Sequence, residues 1–206
     1  NDLFAFTAEG DPNSGIIVGD DSVMVIDAQA TPTLARQVIQ KVRSVTDKPI
    51  SHLVLSHYHA VRVLGAAEYK ASNIIMSSKA RSMVVERGQE DWDSEFDRFP
   101  RLFKGHEEIS GLTWPTTTFD KKMSLFLGKR RVDLYFLGRA HTAGDIVIHV
   151  PDSNVLFTGD IVEYKSACYC GDAHLQDWPK TLGKIAKFQA VSLVPGRGDA
   201  LTCLLY

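Results

Sequence analysis

Two histidines separated by one residue, His57 and His59, follow a nearly continuous apolar run over residues 50–56. In extended or loop backbone, side chains two residues apart project to the same side, so both imidazoles can reach one ion. The same spacing on a helix would point the rings apart, but the apolar run favours a strand that ends in a loop. Alone, this spacing favours structural or solvent-exposed histidines over metal ligands.

Two further motifs favour a metal site. His141 lies in a small-residue loop over residues 137–145, and Asp160 ends the run over residues 155–160. Three histidines and a carboxylate at strand ends would supply neutral nitrogen ligands, one charge-balancing oxygen and room for a water molecule. We therefore predict that His57, His59, His141 and Asp160 bind one catalytic metal ion.

The motifs occur in a fixed order: H-x-H at 57–59, G-x-x-H-T-x-G-D at 138–145, T-G-D at 158–160 and P-G-x-G at 195–198. This order and spacing resemble the metallo-β-lactamase superfamily over essentially the whole chain. The resemblance implies a four-layer αββα sandwich of the α/β (α+β) class, with the metals in a cleft at one edge. It also implies first-metal ligands at His57, His59 and His141 and a metal-bridging carboxylate at Asp160.

The resemblance assigns roles to two further residues. Asp27 resembles a family acid that supports the loop behind the metal site without binding metal. Residues 166–182 are similar to the loop and helix that border the cleft in the zinc β-lactamases. His174 in this segment matches a position that is usually an amide facing the substrate. We therefore expect His174 to bind substrate and take part in catalysis, with a surface-loop position as the alternative.

The sequence departs from the family pattern at the second metal site. The family motif H-x-H-x-D-H ends here in Val61 and Arg62, and Arg197 replaces a late histidine. Valine has no donor atom, and arginine stays protonated and cannot bind a metal. We therefore expect a single metal ion, with Arg62 and Arg197 near the second position, where they could bind a substrate anion. Alternatively, the two arginines pair with Asp160, Glu68 or Asp199 on the rim.

These expectations combine into a mononuclear zinc-dependent hydrolase of an ester, lactone, thioester or amide bond in an anionic small molecule. Asp160 would be a fourth zinc ligand, or it would orient the attacking water and carry its proton. A mononuclear iron oxygenase using His57, His141 and Asp160 is one alternative, because two histidines and a carboxylate suit ferrous iron. The other is a non-catalytic member of the fold that binds an anion.

Alternating β-branched runs and amphipathic segments predict the elements that position these residues. Strands are expected at residues 3–7, 15–19, 22–27, 50–56, 73–77, 123–127, 130–137, 145–150, 155–158 and 191–194, and helices at 32–45, 62–69, 79–103 and from 178. The order repeats in the two halves, which predicts two sheets packed face to face with helices outside. We expect one domain over residues 1–206. The alternative is that this domain lacks a C-terminal segment of the fold.

Composition argues against several other classes of protein. The 206 residues carry a formal net charge of −2 and are 44% hydrophobic, as in an ordinary globular protein. Scattered basic residues leave no footprint for nucleic acid, and no apolar run approaches the ~18 residues of a membrane span. An odd number of cysteines favours a reducing compartment, so we expect a cytoplasmic protein. The periplasm is the alternative, because a leader could have been removed.

Other chemically suggestive residues have plainer interpretations. Cys168 and Cys170 could bind a soft metal, but without a second cysteine pair we expect a structural role. Phe96, Phe99 and Phe103 are expected on the long middle helix, where they could cover the cleft or form a homodimer contact.

Overall fold

The structure is a computed structural model that describes residues 2–7 and 11–202. Its strands are β1 Leu3–Phe6, β2 Ser14–Val18, β3 Val23–Ile26, β4 Ile50–Val54, β5 Asn73–Ser77, β6 Thr117–Phe119, β7 Lys122–Leu127, β8 Arg130–Tyr135, β9 Val147–Val150, β10 Val155–Phe157, β11 Ser192–Val194 and β12 Leu201–Thr202. Its α-helices are α1 Pro32–Arg43, α2 Ala60–Val63, α3 Ser78–Arg98 and α4 Trp178–Ala186. Short 3₁₀ turns lie at Ala66–Tyr69, Pro100–Leu102, His106–Glu108 and Gly159–Ile161.

The strands form two six-stranded sheets, one from each half of the chain. The first has the order β1-β2-β3-β4-β5-β6, and the second has the order β12-β11-β10-β9-β8-β7. Strands β3 to β6 are parallel neighbours, so the chain returns between β3 and β4 through α1. The second sheet is antiparallel apart from the pairing of β10 with β11.

Alternate side chains along the central strands divide the core into layers. On β2, Ile16 packs with α1 on the outer face of the first sheet, whereas Ile17 packs between the sheets. On β9, Val147 packs with α4, whereas Ile148 packs between the sheets. Because neighbouring strand residues point to opposite faces, this alternation covers both outer faces with helices. The predicted four-layer αββα sandwich is confirmed.

Helix α1 shows how the sequence specifies one of these outer layers. The Thr31 hydroxyl accepts a hydrogen bond from the Leu34 amide at 3.2 Å, and Pro32 occupies the first turn. Val38 and Val42 lie on the buried side of the helix. Full burial of a valine side chain contributes about 1.5–3 kcal/mol, so this apolar stripe fixes the helix on the sheet.

The helix expected at residues 62–69 is two separate elements. Helix α2 begins earlier, at Ala60, and the 3₁₀ turn follows Gly65. A Cβ atom on Gly65 would lie 2.2 Å from the Ala28 carbonyl oxygen, so only glycine allows this close approach of two backbones. The periodicity of the apolar residues does not report such a contact.

Other boundaries also differ from the predictions. Helix α3 ends at Arg98, so Phe103 lies beyond it, buried against Phe96, while Phe99 is 43% exposed. Strand β6 was not predicted, because three residues are too short to show a period of two. Strand β12 extends the second sheet beyond β11, which was predicted to close it.

The strands expected at residues 123–127 and 130–137 pair as a hairpin through Gly128, since Leu127 pairs with Arg130 and Gly128 has a φ of 69°. Within the described ranges, no helix is long and apolar enough to cross a membrane. Cys168 and Cys170 are exposed and free, and Cys203 lies outside the described residues.

Candidate metal centre

The predicted metal ligands come from three chain segments that follow or connect central strands. His57 and His59 follow β4, His141 lies between β8 and β9, and Asp160 lies in the 3₁₀ turn after β10. All four side chains are buried, with relative exposures of 1–3%. The two sheets therefore deliver all four residues to one edge of the sandwich.

The three histidine rings form a compact cluster. One nitrogen from each of His57, His59 and His141 lies within 4.8 Å of the others. The His141 Nε2 and His59 Nδ1 atoms are 3.0 Å apart, and the three rings are close to perpendicular to one another. Converging nitrogens at this spacing are the arrangement that a tetrahedral metal site requires.

Ser56 and Asp27 determine which nitrogen of His57 faces the cluster. Ser56 Oγ donates to Asp27 Oδ2 at 2.8 Å and lies 2.9 Å from His57 Nδ1. Because the single hydroxyl proton of Ser56 goes to Asp27, the Nδ1 atom must carry the proton in its bond to Ser56. His57 Nε2 is therefore unprotonated, and it is buried with no hydrogen-bond partner among the described residues. An orphaned buried acceptor aimed into a histidine cluster fits a metal ligand.

Asp27 has the supporting position that the family resemblance implied. Its Oδ1 atom accepts from the Ser56 amide at 2.7 Å, and its φ of 61° lies in the left-handed region. Burial raises the pKa of Asp27 to about 6, although the Arg62 charge and the Ser56 hydrogen bonds oppose the rise. The two hydrogen bonds from Ser56 to this buried carboxylate hold the end of β4, and thereby His57, in place.

His59 is held from the opposite side of its ring by Asp172. His59 Nε2 lies 3.1 Å from Asp172 Oδ2, which also accepts a hydrogen bond from the Tyr58 hydroxyl. Burial lowers the pKa of His59, but the Asp172 hydrogen bond and the Asp91 charge outweigh burial and raise the pKa overall. A proton on Nε2 leaves Nδ1, the atom nearest His141, free for a metal.

The loop that carries His141 is fixed by a side chain four residues later. Asp145 accepts from the Thr142 amide at 2.7 Å and from the Thr142 hydroxyl at 2.6 Å. Burial lowers the pKa of His141 to about 4, so its ring is neutral at physiological pH. A neutral imidazole is the state that binds a metal.

Asp160 lies between the histidines and a cation. Its Oδ2 atom is 3.6 Å from the Nε2 atoms of both His57 and His141, and its Oδ1 atom accepts a hydrogen bond from Arg62 Nη2. Burial raises the pKa of Asp160, but the Arg62 charge outweighs burial and holds the pKa well below its usual range. The carboxylate is therefore a permanent anion with one oxygen directed at the histidine cluster.

Arg62 is an internal counter-ion, and this corrects its predicted role in binding a substrate anion. Its side chain is 0% exposed. The guanidinium group donates to the Asn13 and Gly196 carbonyl oxygens, each at 2.8 Å, as well as to Asp160. A second contact of Nη1 joins Asp27 Oδ2 at 3.4 Å. Both terminal nitrogens are thus used within the protein, and the alternative pairing with Asp160 is the one that the structure contains.

Arg197 has a different environment from Arg62. Its side chain is 16% exposed, and its Nε atom lies 3.5 Å from Glu163 Oε1. It lines a cavity of about 170 Å³ together with Glu95, Phe99 and Tyr169. Its charge also lowers the pKa of Asp160, after the larger effects of burial and of Arg62 and the histidines. Of Arg62 and Arg197, Arg197 is therefore the one that lines a cavity near the centre.

Val61 contributes its backbone to the site. Its amide donates to Glu95 Oε2 at 3.0 Å, and the Ala60 amide donates to Asp91 Oδ2 at 2.7 Å. Burial raises the pKa of Glu95 to about 7, with the nearby Asp91 charge acting in the same direction. Asp91 and Glu95 hold the turn after His59, and neither was among the predicted site residues. Their spacing of four residues puts both on one face of α3 but does not indicate what they contact.

The structure does not group His174 with the three histidines. Among the described residues, the sets of three or more potential metal ligands are His57, His59 and His141, and His59, Asp91 and Asp172. His174 is half-buried, its amide donates to the Ala140 carbonyl at 2.8 Å, and its own carbonyl accepts from the Trp178 amide. Its backbone thus connects the His141 loop to the start of α4. The catalytic and substrate-binding roles of its side chain remain predictions.

Known proteins resemble this chain in both sequence and structure. The sequence profile of the metallo-β-lactamase superfamily matches residues 7–182. The type 2 metallo-β-lactamase of Bacillus cereus is 24% identical over 204 residues, which cover 96% of this chain and 72% of that protein. The Bacteroides fragilis enzyme of the same name is 24% identical over 194 residues, which cover 91% of this chain and 70% of that protein.

A solved metallo-β-lactamase from Pontibacter korlensis has the same fold. It superposes with a TM-score of 0.73 at 19% identity, covering 97% of this chain and 87% of its own. The order of motifs, the two-sheet sandwich and the profile match agree, and the chain belongs to the metallo-β-lactamase superfamily.

Proposed function

We propose that this protein is a mononuclear zinc-dependent hydrolase that cleaves an ester, lactone, thioester or amide bond in an anionic small molecule. The relatives named above are metallo-β-lactamases, which supports hydrolysis as the reaction class. A β-lactam is one amide among these substrates, but relatives at 24% identity do not select it.

The observation that carries the proposal is the convergence of three histidine nitrogens, two of which have protonation states set by neighbours. Ser56 directs Nε2 of His57 into the cluster, and Asp172 directs Nδ1 of His59 into it. Outer-shell hydrogen bonds of this kind orient metal-binding histidines and raise their basicity. Nitrogen donors with one carboxylate nearby suit zinc.

The restriction to one ion rests on what surrounds Asp160. The Val61 side chain has no atom that could bind a metal. The Arg62 guanidinium lies against the Asp160 oxygen that points away from the histidines. A second divalent cation near Arg62 would meet repulsion and would lack ligands. We therefore assign His57, His59, His141 and Asp160 to a single zinc ion.

When bound, zinc would polarise a carbonyl group and lower the pKa of a water molecule to about 7. Asp160 suits the role of fourth ligand better than that of proton carrier, because Arg62 holds its pKa well below its usual range. Arg197 is our candidate for the anionic part of the substrate, since it lines the neighbouring cavity. His174 is a second candidate for substrate contact.

Elemental analysis of protein purified without a chelator tests the proposal most directly. We expect about one zinc per chain, and calorimetric titration of the metal-free protein should show one tight site. The matched control is His141→Ala, which should lose that site, while His106→Ala, which changes an exposed histidine, should keep it. Two tight zinc sites of equal strength would contradict the mononuclear assignment.

A panel of chromogenic esters, lactones, thioesters, amides and β-lactams then tests turnover of the zinc-loaded protein. Zinc-dependent hydrolysis of any of them that disappears in His141→Ala supports the reaction class. Zinc binding without turnover of any member would favour the non-catalytic alternative.

One observation also favours the iron oxygenase alternative. Asp160 Oδ2 is equally distant, 3.6 Å, from the Nε2 atoms of His57 and His141, and these three groups form a two-histidine, one-carboxylate set. Iron in the elemental analysis, together with dioxygen consumption, would support this function over hydrolysis.

A further inference from the structure

Tyr169 belongs to an irregular segment that lies across the histidine cluster. This segment runs from residue 162 to residue 177, between the 3₁₀ turn that carries Asp160 and helix α4, without a helix or strand of its own. Ordered segments longer than about 12–15 residues without secondary structure are uncommon in compact domains, and they often form active-site lids. The segment is therefore a natural place to look for control of access.

The Tyr169 ring is the part of this segment that lies against the metal-binding side chains. Its centroid is 5.7 Å from that of His59 and 6.3 Å from that of His141, with the ring edge-on to both. The Arg98 guanidinium lies 4.7 Å from the centre of the Tyr169 ring. A cation and the face of an aromatic ring attract each other. Because Arg98 is the last residue of α3, this helix holds the Tyr169 ring against the histidines.

Gly171 makes room for the ring. A Cβ atom added to Gly171 would lie 2.0 Å from the Tyr169 hydroxyl oxygen and 2.3 Å from its Cζ atom. Any other residue at position 171 would displace the Tyr169 side chain. The glycine two residues after Tyr169 therefore leaves the space that its ring occupies.

The ring separates two spaces. On one side are the histidines, which are only 1–2% exposed. On the other is the cavity of about 170 Å³, which Tyr169 lines together with Phe99, Leu102 and Arg197. The histidines are not among the residues that line this cavity. Tyr169 is therefore a residue that both lines this cavity and lies against the histidine cluster.

We propose that Tyr169 is a gate that admits metal and substrate to the histidine cluster from the cavity beside Arg197, and that it determines which substrates enter. A substrate that reaches the histidines replaces the Tyr169 ring between Arg98 and the cluster. The site therefore selects a molecule with a flat apolar group for this space and a negative charge for Arg197. This inference rests on the proposed metal site, but not on the proposed reaction.

Chemical labelling of metal-free protein tests the gate without requiring a substrate. Diethyl pyrocarbonate modifies accessible histidines, and peptide mass spectrometry gives a rate for each one. In the natural sequence His141 should react much more slowly than His106, which is exposed and serves as the internal reference. Tyr169→Ala should raise the rate of His141 relative to His106 at least tenfold.

Matched variants separate the gate from general loosening of the segment. Tyr169→Phe keeps the ring and should change the relative rate less than twofold, whereas Gly171→Ala displaces the ring without removing it and should raise the rate. Leu175→Ala alters an exposed side chain of the same segment and should have no effect. Equal rates in Tyr169→Ala, Gly171→Ala and the natural protein would overturn the gate.

Zinc exchange with a chromophoric chelator supplies the second readout. A gate slows entry and exit alike, so Tyr169→Ala should raise the association and dissociation rate constants by the same factor and leave the dissociation constant unchanged. Faster dissociation with unchanged association would overturn the gate and make Tyr169 a supporting residue of the metal site. If the natural protein binds no zinc, the proposed function fails, and the labelling experiment still decides whether Tyr169 covers the histidines.

Discussion

The two oxygens of the Asp160 carboxylate face different surroundings: one faces His57 and His141, and the other accepts a hydrogen bond from Arg62. On the histidine side, one nitrogen from each ring converges on a common point, and the buried Nε2 of His57 has no hydrogen-bond partner among the described residues, so the site depends on a ligand to complete it. On the arginine side, Arg62 already supplies the cation, and its donors are used by Asp160 and by the Asn13 and Gly196 carbonyls. The first side is built for binding, and the second is built for stability.

This difference shows how an arginine can organise the loops around a buried carboxylate at a position where the family motif has a ligand-type residue. Asn13 connects the amino-terminal loop to the loop at residues 195–198, since its side chain donates to the Pro195 and Gly198 carbonyl oxygens. Arg62 lies in the middle of this connection. A fixed guanidinium can therefore organise the loops around Asp160 without any requirement for metal availability.

Arg62→Ala should have the largest effect on folding. It leaves the Asp160 carboxylate buried without its main cation, and breaking a buried ion pair from one side costs about 3–5 kcal/mol. Urea denaturation of the metal-free protein measures the loss. The control is Arg36→Ala, which removes an exposed ion pair with Glu108 and should change little.

A double variant distinguishes lost pairing from lost packing. Arg62→Met with Asp160→Leu replaces both charges by apolar groups of similar length and should recover most of the stability lost in Arg62→Met alone. If the double variant is as unstable as the single one, the ion pair is not what stabilises this side of Asp160.

His141→Ala should have the converse effect: a large loss of zinc affinity with little change in the stability of the metal-free protein. Complete zinc sites contribute about 10–16 kcal/mol, so one of four ligands is worth roughly 3–4 kcal/mol, or on the order of a hundredfold to a thousandfold in affinity. Competition with a chelator of known affinity measures it. Zinc affinity in Arg62→Ala that falls as far as in His141→Ala would remove the distinction between the two sides.

Asp172→Asn should have an intermediate effect that is confined to binding. The amide cannot hold the Nε2 proton of His59 as strongly as the carboxylate does, and loss of such outer-shell partners reduces metal affinity about 10–100-fold. The same chelator competition measures this change. The control is Asp177→Asn, which alters an acid of the same segment that pairs with Arg139, and its zinc affinity should equal that of the natural sequence.

The histidine side of the centre could be predicted from sequence, and most of its support could not. His57, His59 and His141 lie in short motifs at strand ends, so residue type and order alone indicate their convergence. Asp91, Asp172 and Glu95 reach the site from a helix and a loop far along the chain. Nothing local marks an acid whose partner is more than thirty residues away.

The sequence also could not settle the position of Arg62. Its replacement of a ligand-type residue predicts a side chain near the second metal position, and Arg62 does contact Asp160 there. Whether the guanidinium turns outward to a substrate or inward to the protein depends on the Asn13 and Gly196 carbonyls, and backbone oxygens leave no trace in a sequence pattern. The fold was easier to predict, because the alternation of apolar residues indicates which side of each strand faces the core. The strands that were not predicted, β6 and β12, have three and two residues.

Substitution of Asp133 should have the smallest effect on stability. It allows the ion pairs of Asp133 with half-exposed partners to be compared with the buried pair of Arg62 and Asp160. Its side chain is 3% exposed, but Arg131 and Lys122, which pair with it, are about half exposed. Burial raises the pKa of Asp133, but hydrogen bonds from Arg131 and Ser124 outweigh burial and lower the pKa below its ordinary value of 3.8. A lowered folded-state pKa stabilises the protein above the unfolded-state value, and this contribution is lost as the pH falls through 3.8 towards the folded-state pKa. Asp133→Asn should therefore cost about 0.5–1 kcal/mol at pH 7, because its partners remain solvated, and less near pH 2. Urea denaturation at both pH values measures the difference. A loss at pH 7 as large as that of Arg62→Ala would show that solvent exposure of the partners does not decide what an ion pair contributes in this fold.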